Sequence, residues 1–266
     1  MHNKLIKLND LLAKCRRVLV AYSGGVDSTF LLAQSIGTLG RKNVLAVTAV
    51  SETYPERELK QAKELSARLG VKTRLIHTKE LENPDFRNNS VNRCFHCKDE
   101  LFCKLKIMAK KNKMVLCDAT NYSDRSDYRP GRRAAVKWGV KSPLLEAGIT
   151  KDEIRKSSRK LNLPTWNQPA QACLASRIPF GTAISEKNLK NIEKGEDFLR
   201  GLGFGLVRIR DHGEIARIET DKKNIKKLLN INAAQKISLE LKKLGWKFIS
   251  VDIDGYKTGS LNPAIK

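Results

Sequence analysis

An open, mostly parallel, doubly wound α/β sheet followed by a smaller C-terminal α+β domain is the fold this sequence predicts. Three observations carry the prediction. Apolar, β-branched runs alternate four times with amphipathic helical stretches between residues 18 and 117. One of those runs, residues 43–50, is almost continuously apolar, the mark of a strand buried on both faces. Past residue 163 the order changes to helix, two strands, helices and strand, which suits a separate small domain.

Taken in order, residues 3–16 read as a short amphipathic helix with Leu5, Leu8 and Leu12 along one stripe. Residues 18–22 form the first strand. It feeds directly into Ser23-Gly-Gly-Val-Asp-Ser28, and a helix continues through 29–35. Residues 43–50 are the second strand, and 55–69 a helix with Pro55 in its first turn and Gly70 at its end. A third strand is expected at 72–77, a helix at 98–111 and a short fourth strand at 114–117. Thr150 and Glu153 are spaced as a capping box for a helix that ends at Lys160. Residues 163–169, with two prolines and a tryptophan, break all periodicity and form the linker. The expected domains are therefore 1–163, a linker or active-site loop at 164–185, and 186–266. The last should hold a helix at 186–202, strands at 206–210 and 214–219, helices at 222–229 and 233–244, and a strand at 248–253, with an antiparallel sheet.

The 266 residues carry a formal net charge of +23, from 51 Lys+Arg against 28 Asp+Glu. Such a balance favours anionic partners: nucleotides, phosphorylated metabolites or RNA. Lysines spread over nearly every expected helix leave open whether this is a dedicated RNA face or a surface that serves solubility. The N-terminal residues have no signal-peptide core, and no apolar stretch approaches the roughly 18 residues of a membrane span. A cytoplasmic protein with no membrane partner is expected. Six cysteines in such a chain point to reduced, catalytic or metal-binding thiols rather than a disulfide framework.

The Gly24-Gly25 pair lets the backbone turn tightly and approach a ligand without a Cβ in the way. The helix behind it offers unpaired N–H groups and the positive end of its dipole to a phosphate. Ser23, Ser28 and Thr29 add hydroxyls, and Asp27 is placed to cap the helix or to hold Mg²⁺. The spacing is neither that of a Walker loop nor that of a dinucleotide fold. It resembles the pyrophosphate loop of the adenine-nucleotide α-hydrolase superfamily, which includes NAD, GMP and asparagine synthetases and several sulfur transferases. That resemblance implies ATP bound by Ser23, Gly24, Gly25, Asp27 and Ser28, and cleaved between its α and β phosphates.

Other constellations admit two readings. Asp118, Asn121, Asp124 and Asp127 follow the fourth strand, either to serve Mg²⁺ or to build an Asx-rich turn. Arg129, Arg132 and Arg133 suit phosphate or carboxylate recognition, or a solvated turn. Residues 51–54 end the second strand where adenine or ribose would lie, or form a simple loop. Cys94 and Cys97 make one CxxC, half a zinc site; a cluster, a redox pair and a buried structural role all remain open. Cys173 lies in a segment with no periodicity, where Arg177 would favour the thiolate, although an isolated cysteine is commonly a small buried hydrophobe. Arg208 and Arg210 share one face of a strand, as a phosphate clamp or as partners of Glu196, Asp197 or Glu219.

In chain order, the SGGVDS loop, the RCxxCK segment, residues 118–135, residues 142–155, the CLASRIPFG segment around Cys173 and the RIRDHGEIARIE segment resemble the ATP-dependent sacrificial sulfur transferase (LarE) family, over nearly the whole chain. The resemblance implies adenylation of a pyridinium dicarboxylate mononucleotide, an intermediate in nickel-pincer cofactor synthesis. Cys173 matches the sacrificial cysteine, which displaces AMP and then surrenders its sulfur, leaving dehydroalanine. Arg177, Arg208 and Arg210 match the substrate-phosphate region, Glu196 a metal or acid/base position, and Asp27 with Asp124 the Mg²⁺ site. Some members use an iron–sulfur cluster instead, but Cys173 stands alone in its segment, so the single-use version is the expectation. A homo-oligomer is also expected. The competing reading is a tRNA-thiolating enzyme on the same loop, with a persulfide or cluster supplied by Cys94 and Cys97; no recognisable RNA-binding module supports it.

Overall fold

The computed structural model describes residues 1–125, 130–169, 171–257 and 259–261. Asp127 and Arg129, singled out above, lie outside the described residues. The chain divides into two compact units, Met1–Glu80 with Asn92–Gln171, and Leu81–Val91 with Ala172–Lys266.

The first unit opens with α1 (His2–Cys15), β1 (Val18–Ala21) and α2 (Val26–Leu39). It continues through β2 (Val44–Val50), α3 (Glu56–Arg68) and β3 (Thr73–His77). A short helix, α4 (Pro84–Arg87), falls in the second unit's first segment. The chain then supplies α5 (Arg93–Lys111), β4 (Val115–Cys117), α6 (Gly131–Lys137), α7 (Pro143–Glu146) and α8 (Lys151–Lys160). The four strands pair in parallel in the order β3-β2-β1-β4, the open sheet the sequence predicts. β1 explains why helices must cover both faces. Val18 and Val20 enter one core with Leu8 and Phe30, whereas Leu19 enters another with Phe102 and Leu116. Successive side chains on a strand point to opposite faces, so a strand apolar throughout needs two layers of cover.

Local signals act as expected at α8, where Thr150 Oγ1 accepts from the Glu153 N–H and Glu153 Oε2 accepts from the Thr150 N–H. At α5 the structure corrects the expected start at residue 98. Residues 93–97 hold neither Pro nor Gly, so the helix runs back to Asn92 and takes Cys94 and Cys97 into its first turns. No helix among the described residues is long and apolar enough to cross a membrane.

The second unit contains α9 (Glu186–Gly201), β5 (Val207–His212), β6 (Ile215–Thr220), α10 (Lys222–Leu228), α11 (Ile231–Lys243) and β7 (Phe248–Val251). β5 and β6 form an antiparallel hairpin that sets Arg208 opposite Glu219 and Arg210 opposite Arg217. β7 joins β6 in parallel, correcting the purely antiparallel sheet expected. The turn at Gly213, with φ +75°, reverses the chain once, whereas the α10–α11 crossover brings it back in the same direction. The 81–91 segment is fixed by the fully buried Asn89. Its amide donates to the carbonyls of Ile178, Pro179 and Thr182 at 3.3, 2.8 and 2.9 Å, and its own carbonyl accepts from the Gly181 N–H at 3.0 Å.

Two glycines in helices test this packing in opposite directions. A Cβ on Gly195 would lie 2.6 Å from Ile209 Cδ1 and 3.0 Å from Leu241 Cδ2, whereas one on Gly37 meets nothing within 4 Å. Gly195→Ala should cost about 1–3 kcal/mol through overpacking. Gly37→Ala should add about 0.5–1 kcal/mol by stiffening the unfolded chain. Urea unfolding midpoints of the two variants measure both.

Candidate active site

β1 delivers its last residues to a loop at the C-terminal edge of the sheet. Strand order reverses between β1 and β4, and such a switch point opens a crevice beside the strand ends. Gly24 adopts φ +70°, and a Cβ there would meet the Cβ of Ala62 on α3 at 2.8 Å and its Cα at 3.0 Å. Only glycine next to a small residue permits this approach. Ser23 and Ser28 set their hydroxyls 3.2 Å apart across the loop, and Ser28 Oγ donates to the Gly25 carbonyl at 3.2 Å. Gly25 is the N-cap of α2 and brings no capping side chain, so the first-turn N–H groups remain for an anion. The Tyr54 hydroxyl donates to the Ser23 carbonyl at 2.7 Å. Burial, with Glu58 and Tyr22 nearby, pushes that phenol well above its usual range and keeps it a donor.

Asp27, in the first turn of α2, pairs with Lys151 at 2.6 Å. The Lys151 backbone N–H donates to Ser123 Oγ at 3.1 Å, which ties α2 to the turn after β4. Within that turn Asp124, 6% exposed, accepts the Asn121 N–H at 3.0 Å, and Asn121 Oδ1 accepts the Ser123 N–H at 2.9 Å. Asp118 takes Thr120 Oγ1 at 2.8 Å and Ser142 Oγ at 2.7 Å. The Asx-turn alternative thus accounts for much of this segment. Arg133 stacks over the Phe95 ring at 4.9 Å.

In the second unit Cys173 is half-buried and precedes the 3₁₀ turn Leu174–Arg177. Arg177, 1% exposed, spreads its donors over Glu196 Oε1 and Oε2 at 2.9 and 3.1 Å, the carbonyls of Ala172 and Cys173 at 2.5 and 3.0 Å, and Ser176 Oγ at 3.1 Å. Arg177, expected at a substrate phosphate, is buried here and clamps the cysteine loop through the Ala172 and Cys173 carbonyls. Glu196, expected either as a metal or acid/base group or as a partner of the strand arginines, is a buried hub among arginines. It also receives Arg200 at 2.5 Å and the Ile209 N–H at 3.2 Å, with Arg208 at 4.0 Å. Burial pushes the Glu196 carboxyl up, but Arg177, Arg208 and Arg200 together hold it below the usual carboxylate range. Burial and Arg177 press the Arg208 guanidinium down to about 10, so it stays charged at neutral pH. Arg210 pairs with Glu219 at 2.7 Å and also donates to the Ser176 carbonyl and Ser260 Oγ, both at 3.1 Å.

The NAD synthase family matches residues 6–117 of this chain, the stretch that holds the loop and all four parallel strands. Over nearly its whole length, the chain is 34% identical over 251 residues to the pyridinium-3,5-bisthiocarboxylic acid mononucleotide synthase of Lactiplantibacillus plantarum. The alignment covers 94% of this chain and 90% of that enzyme. The chain belongs to the LarE family. Uncharacterised proteins of Synechocystis and Methanocaldococcus jannaschii are also similar to this LarE-family chain, at 36% and 31% identity over 98% and 96% of it. LarE-family chains carry a pyrophosphate-loop domain of the ATP-utilising kind, and here that domain presents Ser23–Ser28.

Sequence reasoning missed Lys151 and Gln171 around the loop, and it named Tyr54 only within the 51–54 segment, not as the donor that holds the Ser23 carbonyl. Gln171 Oε1 lies where a Gly25 side chain would begin, at 3.0 Å. No local pattern points to Lys151 or Gln171.

Gly24→Ala should lower ATP affinity at least about tenfold while the fold survives, because the added methyl strains a left-handed position and displaces α3; calorimetric titration with ATP checks it. Glu196→Gln should cost about 3–5 kcal/mol by leaving buried guanidiniums without their carboxylate. The lowered Glu196 value means that its charged form stabilises fully above about pH 4.3, and that this stability is lost as pH falls through the lower folded-state value. Between those limits, urea midpoints of the parent chain should fall more steeply with acidification than those of the variant.

Proposed function

We propose that this chain is an ATP-dependent sulfur transferase. It adenylates a carboxylate of a pyridinium dicarboxylate mononucleotide, then transfers sulfur from its own Cys173, in nickel-pincer cofactor biosynthesis. The observation that carries the reading is full-length similarity to the named synthase, combined with a phosphate loop whose Gly24 leaves no room for a side chain.

Carboxylate oxygen is a poor leaving group, and conversion to acyl-AMP with release of pyrophosphate supplies a good one. The N–H groups at the start of α2 and the hydroxyls of Ser23 and Ser28 seat the pyrophosphate. Mg²⁺ fits the donor chemistry at Asp27, whose carboxylate is partly exposed and already faces a cation, Lys151. Among the described residues no group of three or more His, Cys, Asp or Glu gathers, so such an ion would take its other donors from phosphate oxygens and water. Asp124 is committed to its own turn and would contribute through Ser123 and Lys151. When bound, Mg²⁺ neutralises charge that develops on the leaving pyrophosphate.

The Cys173 thiolate then displaces AMP to give a thioester. Loss of the Cys173 Cα proton, with cleavage of Cβ–S, leaves a thiocarboxylate on the product and dehydroalanine in the chain. Arg208 is the candidate for the mononucleotide phosphate: its position resembles the family's substrate-phosphate region, and its guanidinium stays charged at neutral pH. Arg210 and Arg177 position the surrounding backbone through Ser176 and Cys173.

Intact-protein mass before and after one turnover with ATP, Mg²⁺ and the mononucleotide tests the reading. A loss of about 34 Da (H₂S) at Cys173 is expected. Cys173→Ala should still release pyrophosphate but form no thiolated product. Thiolated product from a chain of unchanged mass would overturn Cys173 as the sulfur source.

A further inference from the structure

The CxxC of α5 lies outside the chemistry proposed above. Cys94 and Cys97 occupy the first turns of a 19-residue helix, three residues apart and therefore neighbours on one face. Helix geometry sets their Cα atoms about 5 Å apart, within the range a disulfide spans. Cys94 is exposed and Cys97 half-buried. Beside Cys97 lies Glu80, only 4% exposed. Glu80 Oε1 accepts from Thr78 Oγ1 at 3.0 Å and from the Cys97 thiol at 3.5 Å. Its second oxygen, Oε2, is buried with no hydrogen-bond partner among the described residues. A buried carboxylate oxygen left unsatisfied is costly, and the thiol that already donates to the other oxygen, Oε1, is a proton donor to the same carboxylate.

We propose that Cys94 and Cys97 form a thiol–disulfide exchange site for anionic low-molecular-weight disulfides, with Glu80 as the proton acceptor for Cys97. Cys94 loses its proton to solvent, and its thiolate attacks one sulfur of the disulfide. One thiolate leaves, and a mixed disulfide joins Cys94 to the other half. Cys97 then passes its proton to Glu80 and attacks the Cys94 sulfur, expelling the second thiolate. The two cysteine sulfurs are oxidised by two electrons, and the small disulfide is reduced to two thiolates. A helix N-terminus and neighbouring cations favour the attacking thiolate. Cations cluster at this end of α5. Arg133 lies over the Phe95 ring at 4.9 Å and the Lys98 stem packs where a Gly131 side chain would start, at 3.0 Å, whereas Lys137, 5.9 Å from the same ring, is paired with Asp99 at 2.8 Å. That surrounding selects an anionic disulfide over a cationic one.

The test equilibrates the full chain in glutathione redox buffers, quenches by alkylation and maps each thiol by peptide mass. Cys94 and Cys97 should be oxidised together in a single two-electron transition, and Cys94→Ser should leave Cys97 reduced. Cys97→Ser, a nearly isosteric change, should trap glutathione on Cys94. Glu80→Gln should lengthen the life of that mixed disulfide about tenfold or more, because the resolving thiol keeps its proton. Cystamine, a cationic disulfide, should react several-fold more slowly than glutathione disulfide. Independent modification of the two cysteines, or no glutathione on the Cys97→Ser chain, would overturn the site. Unchanged closure in a folded Glu80→Gln chain would overturn the role of Glu80, and equal rates with cystamine the anionic preference. None of these readouts depends on sulfur transfer from Cys173.

Discussion

Buried charge is the constraint to which the second unit answers. Glu196 and Glu219, with 1% and 0% of their surface exposed, hold the guanidiniums of Arg177, Arg200, Arg210 and Arg217, with Arg208 close by. Taking such groups out of water costs several kcal/mol per ion, and attraction offsets that only when geometry and hydrogen bonds are complete. Here they are nearly so. The same arginines reach the carbonyls of Ala172, Cys173 and Ser176 and the hydroxyl of Ser260, so the cysteine loop, the β5–β6 hairpin and the C-terminal segment share one electrostatic solution. In a chain with a net charge of +23, two well-placed carboxylates organise a disproportionate share of the cations.

The first unit is governed instead by close approach. Gly24 and Ala62 bring the loop after β1 against α3 with no side chain between their backbones. Tyr54 fastens the same loop from above through the Ser23 carbonyl, and Lys151 fastens the start of α2 through Asp27. The loop is therefore shaped before any ligand arrives, which removes part of the ordering cost from binding.

Much of this was legible because it is local. Strand edges, the Thr150–Glu153 box and the Gly-Gly turn are written in spacings of a few residues, and period two set Arg208 and Arg210 on one strand face. What lies opposite a face is not local. Lys151 finds Asp27 from 124 positions away, and Arg177 finds Glu196 from 19. The sequence therefore offered Arg177 for a phosphate and Glu196 for a metal, a proton or a strand arginine, but could not pair the two with each other. The parallel entry of β7 was readable in principle, since two intervening helices imply a crossover, but alternation within each strand carries no sign of direction.

Asn89 adds an order of events. Its amide waits for three carbonyls that lie 89 to 93 residues further along the chain. At ribosomal rates that interval lasts roughly 5–18 s, long enough for the intervening segment, Asn92–Gln171, to be made and to complete the parallel sheet. Until then the 81–91 segment has no carbonyls to close upon. The order of synthesis thus leaves time for the first sheet to form while a polar side chain destined for complete burial is still wet.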